Sequence, residues 1–166
     1  MKRILITGGF GILGTSLSNI LYKKKYKIFL LDRSQKKRKI NQINFGSKIK
    51  RIKGDFKNLN QLMNIIKKNK INTIIHLGAS TQVIDSYKNP YDTFQTNIIG
   101  TINILEAVRI INKNINILFS STVKAYGKMV KKSYKETDPL HGDLPDEVSK
   151  SAADLVAQSY AKTYGL

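Results

Sequence analysis

The residues with the clearest chemical pattern lie near the start of the chain, in Thr7-Gly8-Gly9-Phe10-Gly11-Ile12-Leu13-Gly14. Glycines at 8, 11 and 14 fall between an apolar run, Arg3–Ile6, and helically spaced Leu13, Leu17, Ile20 and Leu21. A strand that turns through glycines into a helix lets backbone approach a pyrophosphate, and the helix N-terminus then faces the negative charge. Gly8, Phe10, Gly11, Ile12 and Gly14 are therefore candidate dinucleotide-binding residues. Asp32 follows Gly14 by 18 residues at the end of a second apolar run. A carboxylate there accepts hydrogen bonds from an adenosine ribose and repels a 2′-phosphate, which favours NAD over NADP. The alternative is a turn aspartate. Arg33 and Lys36–Lys39 would tolerate the extra phosphate. Asp55, after Gly54, is either a partner for the adenine amino group or a turn residue.

These residues need a scaffold, and the apolar pattern supplies one. Strands are expected at Arg3–Ile6, Lys27–Leu31, Lys48–Lys53, Thr73–Leu77 and Asn116–Phe119. Helical spacing is expected over Leu13–Tyr22, Asn60–Lys70, Asp92–Ile111 and about Glu147 to Tyr164, with a turn-rich stretch from Gly127 to Pro145. Apolar strands alternating with helices predict an α/β fold, a doubly wound parallel sheet of about five strands. Ligands then sit at the carboxyl ends of the strands.

Length and composition agree. The chain has 166 residues, 41% hydrophobic and 24% charged, which suits one globular domain spanning 1–166. There is no cysteine, so disulfide scaffolds, thiolate metal sites and cysteine nucleophiles are excluded. His141 stands alone, and no metal site is expected. No apolar run nears the ~20 residues of a membrane span, and Met1–Gly8 does not read as a signal peptide. The expected location is cytoplasmic. The net charge is +18, with 19 Lys/Arg against 2 Asp in residues 1–75 and 10 Lys/Arg against 9 Asp/Glu thereafter. Such an excess can track a phosphate backbone. Without interleaved aromatics, it reads instead as a lysine-rich solvated surface, and no nucleic-acid partner is expected.

Taken with further segments, the chain resembles the NAD-dependent epimerase/dehydratases, extended short-chain dehydrogenase/reductases acting on nucleotide sugars. The likeness runs through His76-Leu77-Gly78-Ala79-Ser80, Asn89-Pro90 with Thr96-Asn97-Ile98-Ile99-Gly100-Thr101, and Ser120-Ser121-Thr122-Val123-Lys124-Ala125-Tyr126-Gly127. It continues in Ser149-Lys150-Ser151-Ala152-Ala153-Asp154 through Tyr164-Gly165-Leu166. The resemblance implies hydride exchange between a sugar and the nicotinamide, with transient oxidation at the sugar C4. It places Leu77, Gly78, Ala79 and Lys150 at the cofactor. It assigns Thr122 and Lys150 to the reacting end, and leaves Asn97 either lining the pocket or on a helix surface. His76 is expected to be structural. The wording of the last helix is most similar to that of the 4,6-dehydratases, including those acting on CDP-glucose.

Two positions depart from the pattern. The family's basic tyrosine would fall at residue 146, which is Asp146 here. A carboxyl titrates near 4 and a phenol near 10, and aspartate is much shorter. Asp146 thus stands with Thr122 and Lys150 as the residue in the tyrosine's place, although its favoured reading is an N-cap of the last helix, a role worth about 1 kcal/mol. Tyr126 and Tyr134 are the nearest other phenols. The acidic residue that dehydratases carry after the Ser/Thr is replaced by Val123. Family members are about twice as long, so the resemblance implies that further strands and a substrate domain are missing, leaving the fifth strand with an open apolar edge. It also implies a homodimer through helices 92–111 and 147–164; Ile98, Ile102, Leu105, Ala153, Leu155, Ala157 and Tyr160 suit such contacts and suit packing on the sheet equally well. Without a base or a substrate domain, the alternative is a catalytically silent NAD-binding module.

Overall fold

A computed structural model describes residues 1–33, 49–128 and 130–166. Lys36–Lys39 and Lys48 lie outside the described residues. Five parallel strands form one sheet in the order β3-β2-β1-β4-β5: β1 Arg3–Thr7, β2 Lys27–Asp32, β3 Ile49–Lys53, β4 Thr73–His76 and β5 Asn116–Phe119. Register is continuous, from Thr7 beside both Leu31 and His76 to Asp32 beside Lys53. The chain winds outward from β1 through β2 to β3, then returns to β4 on the other side. That reversal opens a crevice between the carboxyl ends of β1 and β4, where parallel sheets hold ligands.

Alternation along the strands divides the core in two. Ile4, Ile6, Ile28, Leu30 and Ile75 face α1 (Ile12–Lys23) and pack with Leu17 and Leu21. Leu5, Phe29, Leu31 and Ile74 face the other way, onto Leu62, Ile65 and Ile66 of α2 (Leu59–Asn69) and Ile104, Ala107 and Val108 of α5 (Gly100–Ile111). Strands buried on both faces account for their unbroken apolar runs. The Asn58 side chain caps α2 by accepting from Gln61 N–H at 2.9 Å. Asn58→Ala is expected to lower stability by about 1 kcal/mol in urea melts.

The long helix expected over Asp92–Ile111 is in fact interrupted. After α3 (Val83–Lys88), α4 (Pro90–Phe94) widens into a π-helical turn, Gln95–Ile99, before α5 begins. The extra residue in that turn brings Asn97 to two other segments at once, as described below. The last helix, α6, runs Pro145–Tyr164 and packs on α5. It begins two residues earlier than expected, and Leu144, not Asp146, stands at its N-cap. Glu147 supports that end by accepting from Leu144 N–H at 3.4 Å and Asp143 N–H at 3.1 Å. β5 is the outer strand on the β4 side, and its Leu118 is 60% exposed. Among the described residues, no helix is long and apolar enough to cross a membrane.

Candidate active site at the carboxyl end of the sheet

A crevice of about 640 Å³ runs across the carboxyl ends of the strands. At its centre, β1 turns at Gly8, whose φ of +64° lies in the left-handed region that glycine adopts freely. Gly11 N–H donates to Gly8 O at 2.9 Å, closing the turn. Gly11 is also the N-cap of α1 and has no side chain to occupy the helix's first N–H groups. A helix end left open in this way is suited to an anion. Gly8, Phe10, Gly11, Ile12, Gly14, Leu77, Gly78 and Ala79 all line the crevice, with Asp32 and Arg33 at the end formed by β2.

Asp55 behaves differently. Its Oδ1 accepts from Lys57 N–H at 2.9 Å and so holds the turn ahead of α2. Its neighbours Gly54 and Phe56 line the crevice, while Asp55 does not.

The opposite end combines Ser120, Ser121, Thr122, Lys124, Asp146 and Lys150. Thr122 caps the short 3₁₀ turn Val123–Ala125, its Oγ1 accepting from Lys124 N–H at 3.4 Å. Lys150 lies one turn after Asp146 on α6, so both side chains share a face. Burial holds the Lys150 ammonium below the usual lysine range. Asp146 does not cap the helix: it is the second residue of α6, and its side chain is only 8% exposed. It lies against the 3₁₀ turn, where Lys124 Nζ donates to its Oδ2 at 3.1 Å. Asp146 Oδ1 is buried without a hydrogen-bond partner. The Lys124 contact joins residues 22 apart in sequence, and no local spacing announces it.

Among the described residues, no tyrosine lines the crevice. Tyr126 and Tyr134 instead stack on each other, centroids 4.7 Å apart, and the Tyr126 hydroxyl donates to Lys135 O at 3.2 Å. Val123 is half-exposed beside a separate surface groove. His141 N–H donates to Ala125 O at 2.8 Å, and no cluster of three potential metal ligands occurs among the described residues.

Buried polar groups join the two ends. Thr7 Oγ1 accepts from Gly78 N–H at 3.0 Å and meets His76 Nδ1 at 2.6 Å. The Thr101 hydroxyl donates to Asn97 O at 2.6 Å, so its oxygen is left to accept from His76 Nε2–H at 3.4 Å. Nδ1 is then the acceptor for the Thr7 hydroxyl. Burial, aided by the Lys150 charge, lowers the His76 pKa to about 3 and keeps the ring neutral. Asn97, 2% exposed, neither lines the crevice nor lies on a helix surface. Its Oδ1 accepts from Ser80 N–H at 2.8 Å, and its Nδ2 donates to Ser80 O at 3.0 Å and Ser149 Oγ at 2.8 Å. The Ser149 hydroxyl in turn donates to Asp146 O at 2.7 Å. Asn97 therefore ties the loop after β4 to the first turn of α6.

This arrangement has close counterparts. The family model for GDP-mannose 4,6 dehydratase matches residues 5–166. CDP-paratose 2-epimerase of Salmonella typhi is 31% identical over 99% of this chain and 54% of its own length. dTDP-D-glucose 4,6-dehydratase of Dictyostelium discoideum is 33% identical over 100% of this chain and 42% of its own. The crystal structure of dTDP-glucose 4,6-dehydratase from Bacillus anthracis in complex with NAD superposes with a TM-score of 0.85 at 29% identity, covering 100% of this chain and 52% of that one. The chain thus spans about half the length of the proteins it matches. With the family model matched from the middle of β1 to the last residue, the chain belongs to the GDP-mannose 4,6 dehydratase family, within the NAD-dependent epimerase/dehydratases of the extended short-chain dehydrogenase/reductase type.

Proposed function

We propose that the chain is the NAD-binding domain, residues 1–166, of an oxidoreductase that acts on a nucleotide sugar through transient oxidation at C4. The observation that carries this reading is one crevice holding the glycine turn and Asp32 at one end and Thr122 and Lys150 at the other. The open N-terminus of α1 suits a pyrophosphate, and Asp32 suits an adenosine ribose, hence NAD over NADP. NAD, when bound, supplies the hydride acceptor. Thr122 holds the reacting hydroxyl, while the Lys150 ammonium keeps positive charge beside it. Asp146, in the place of the family's tyrosine, is the nearest carboxylate to receive a proton. The wording of α6 is most similar to that of the 4,6-dehydratases, but Val123 has no acidic group for the elimination of water, so the reading stops at epimerase/dehydratase chemistry. A homodimer through the π turn, α5 and α6 would use Ile98, Ile102 and Leu155, because Leu105 and Ala153 are buried inward.

A second reading, a silent NAD-binding module, is favoured by the Lys124–Asp146 ion pair and by a crevice without tyrosine. Both readings expect NAD binding, weakened about tenfold or more by Asp32→Ala in calorimetric titration. They part on turnover. Incubation with CDP-, dTDP-, UDP- and GDP-sugars, followed by NADH absorbance and product mass, gives a 4-keto product if the enzyme reading holds. NAD binding with no product from any of them leaves the silent module.

A further inference from the structure

The fold sorts the positive charge of residues 1–75 onto one end of the sheet. The two acidic residues of that half, Asp32 and Asp55, both stand at the carboxyl end. The lysines gather at the amino end. There α1 finishes in Lys23, Lys24 and Lys25, and α2 in Lys67, Lys68 and Lys70, all exposed. The two helices cover opposite faces of the sheet. Between their ends lie Lys2 and the first residues of β1 and β2, Arg3 and Lys27, which pair in register. Lys27 N–H donates to Lys2 O at 3.1 Å, and Arg3 N–H to Asn72 Oδ1 at 2.9 Å, just beyond Lys70. A basic band therefore crosses all three layers of the fold, with no acidic residue in any of these segments.

Lysine at a helix C-terminus ordinarily offsets the helix dipole. Two observations ask for more. Lys25 and Lys70 have φ of +62° and +49°, in the left-handed region where glycine or asparagine ends a helix with less strain. Among the described residues, neither ammonium meets a carboxylate. Two strained positions thus carry charge that no ion pair within the fold uses. In addition, α1 leaves Ile20 56% and Tyr22 36% exposed within a turn of Lys23–Lys25. Arg3 is held by Asn69 O, and every other cation of the band is a lysine, a point charge without the planar fork that grips single phosphates. Point charges spread over a face suit a surface of mobile anions. Isoleucine and tyrosine beside them suit a headgroup boundary, where apolar and phenolic groups both find partners. A duplex backbone would use the lysines and leave Ile20 without a role.

We propose that the amino end of the sheet is a docking surface for an anionic lipid bilayer. Docked this way, the chain turns its crevice, at the opposite end of the strands, toward solution. The surface is independent of the reaction proposed above and holds whether or not the chain turns over a sugar.

The test is co-sedimentation of the chain with vesicles of phosphatidylcholine, alone or mixed with phosphatidylserine, at low and high salt. Binding is expected to the mixed vesicles only and to fade as salt rises. Lys25→Gly/Lys70→Gly removes two charges where glycine relieves the backbone, and Lys67→Gln/Lys68→Gln removes two from an exposed turn. Each should weaken binding at least about tenfold. Lys132→Ala/Lys162→Ala removes as much charge from the loop after β5 and from α6, and should stay within about twofold of wild type. Ile20→Ser should weaken vesicle binding about fivefold. Thermal melts check the fold of every variant. Binding without preference for phosphatidylserine overturns the proposal. Equal weakening by all three double variants overturns it too, because net charge and not this face would then be the cause. Full displacement from the vesicles by duplex DNA, with Ile20→Ser binding both as wild type does, would replace the bilayer with a nucleic-acid partner.

Discussion

Gly14→Ala is expected to lower NAD affinity at least about 100-fold and to cost about 2–3 kcal/mol of stability. A β-carbon at position 14 would meet Gly8 O at 2.6 Å, Gly9 Cα at 2.7 Å and Gly9 C at 2.8 Å. All three are backbone atoms, so no side-chain rotation relieves the overlap. Either α1 moves off the strand or the turn gives way. Gly8 O is also the acceptor that closes the turn with Gly11 N–H, so the same displacement disturbs the backbone proposed to meet the pyrophosphate. Urea melts and NAD titration on one preparation check both effects. A variant with wild-type affinity would show that the pyrophosphate does not lie on this turn.

Acid should destabilise the fold well before its carboxylates protonate. His76 has an ordinary pKa of 6.5 when the chain is unfolded and about 3 when it is folded. Between those values the unfolded chain binds a proton that the folded chain refuses, so stability is fully present above pH 6.5 and falls as pH falls. The expected loss is about 2 kcal/mol at pH 5, rising to about 4 kcal/mol near pH 3. The carboxyls of Glu106, hydrogen-bonded to Arg109, and Asp138, hydrogen-bonded to Lys131, are also lowered, from 4.5 and 3.8. Their losses begin only around those lower values, which leaves the interval from pH 6.5 to 5 to His76. Denaturant melts across that interval should show the slope in wild type and lose most of it in His76→Asn. An equal slope in both proteins would assign the acid sensitivity elsewhere.

The sheet was legible in the sequence because strands buried on both faces must be apolar through their middles, and Ile4–Ile6, Ile28–Leu31 and Ile74–Ile75 are. β3 was the least distinct, since an outer strand carries Lys50 and Arg51 toward solvent. The glycine turn was legible from spacing alone, because its demands are local. Asp146 was not. Its type and place suit a helix cap, and only the fold brings Lys124 across to its carboxylate. Asn97 escaped for a related reason: apolar spacing continues from Ile98 into Ile102 and Leu105, so nothing local marks a wider turn.

That turn also bears on which changes of length the chain can absorb. A π turn holds one residue more than the α-helical path would need, so deleting any one of Gln95–Ile99 offers the backbone an ordinary helix. The gain would be illusory. The turn already absorbs the extra residue, so α5 would keep its place on the sheet through Ile104, Ala107 and Val108. What the tighter path would lose is the local outward step that brings Asn97 to Ser80 and Ser149. Variation in this segment should therefore take the form of exchanges that preserve its five-residue count, while gaps gather in the stretch between Gly127 and Pro145.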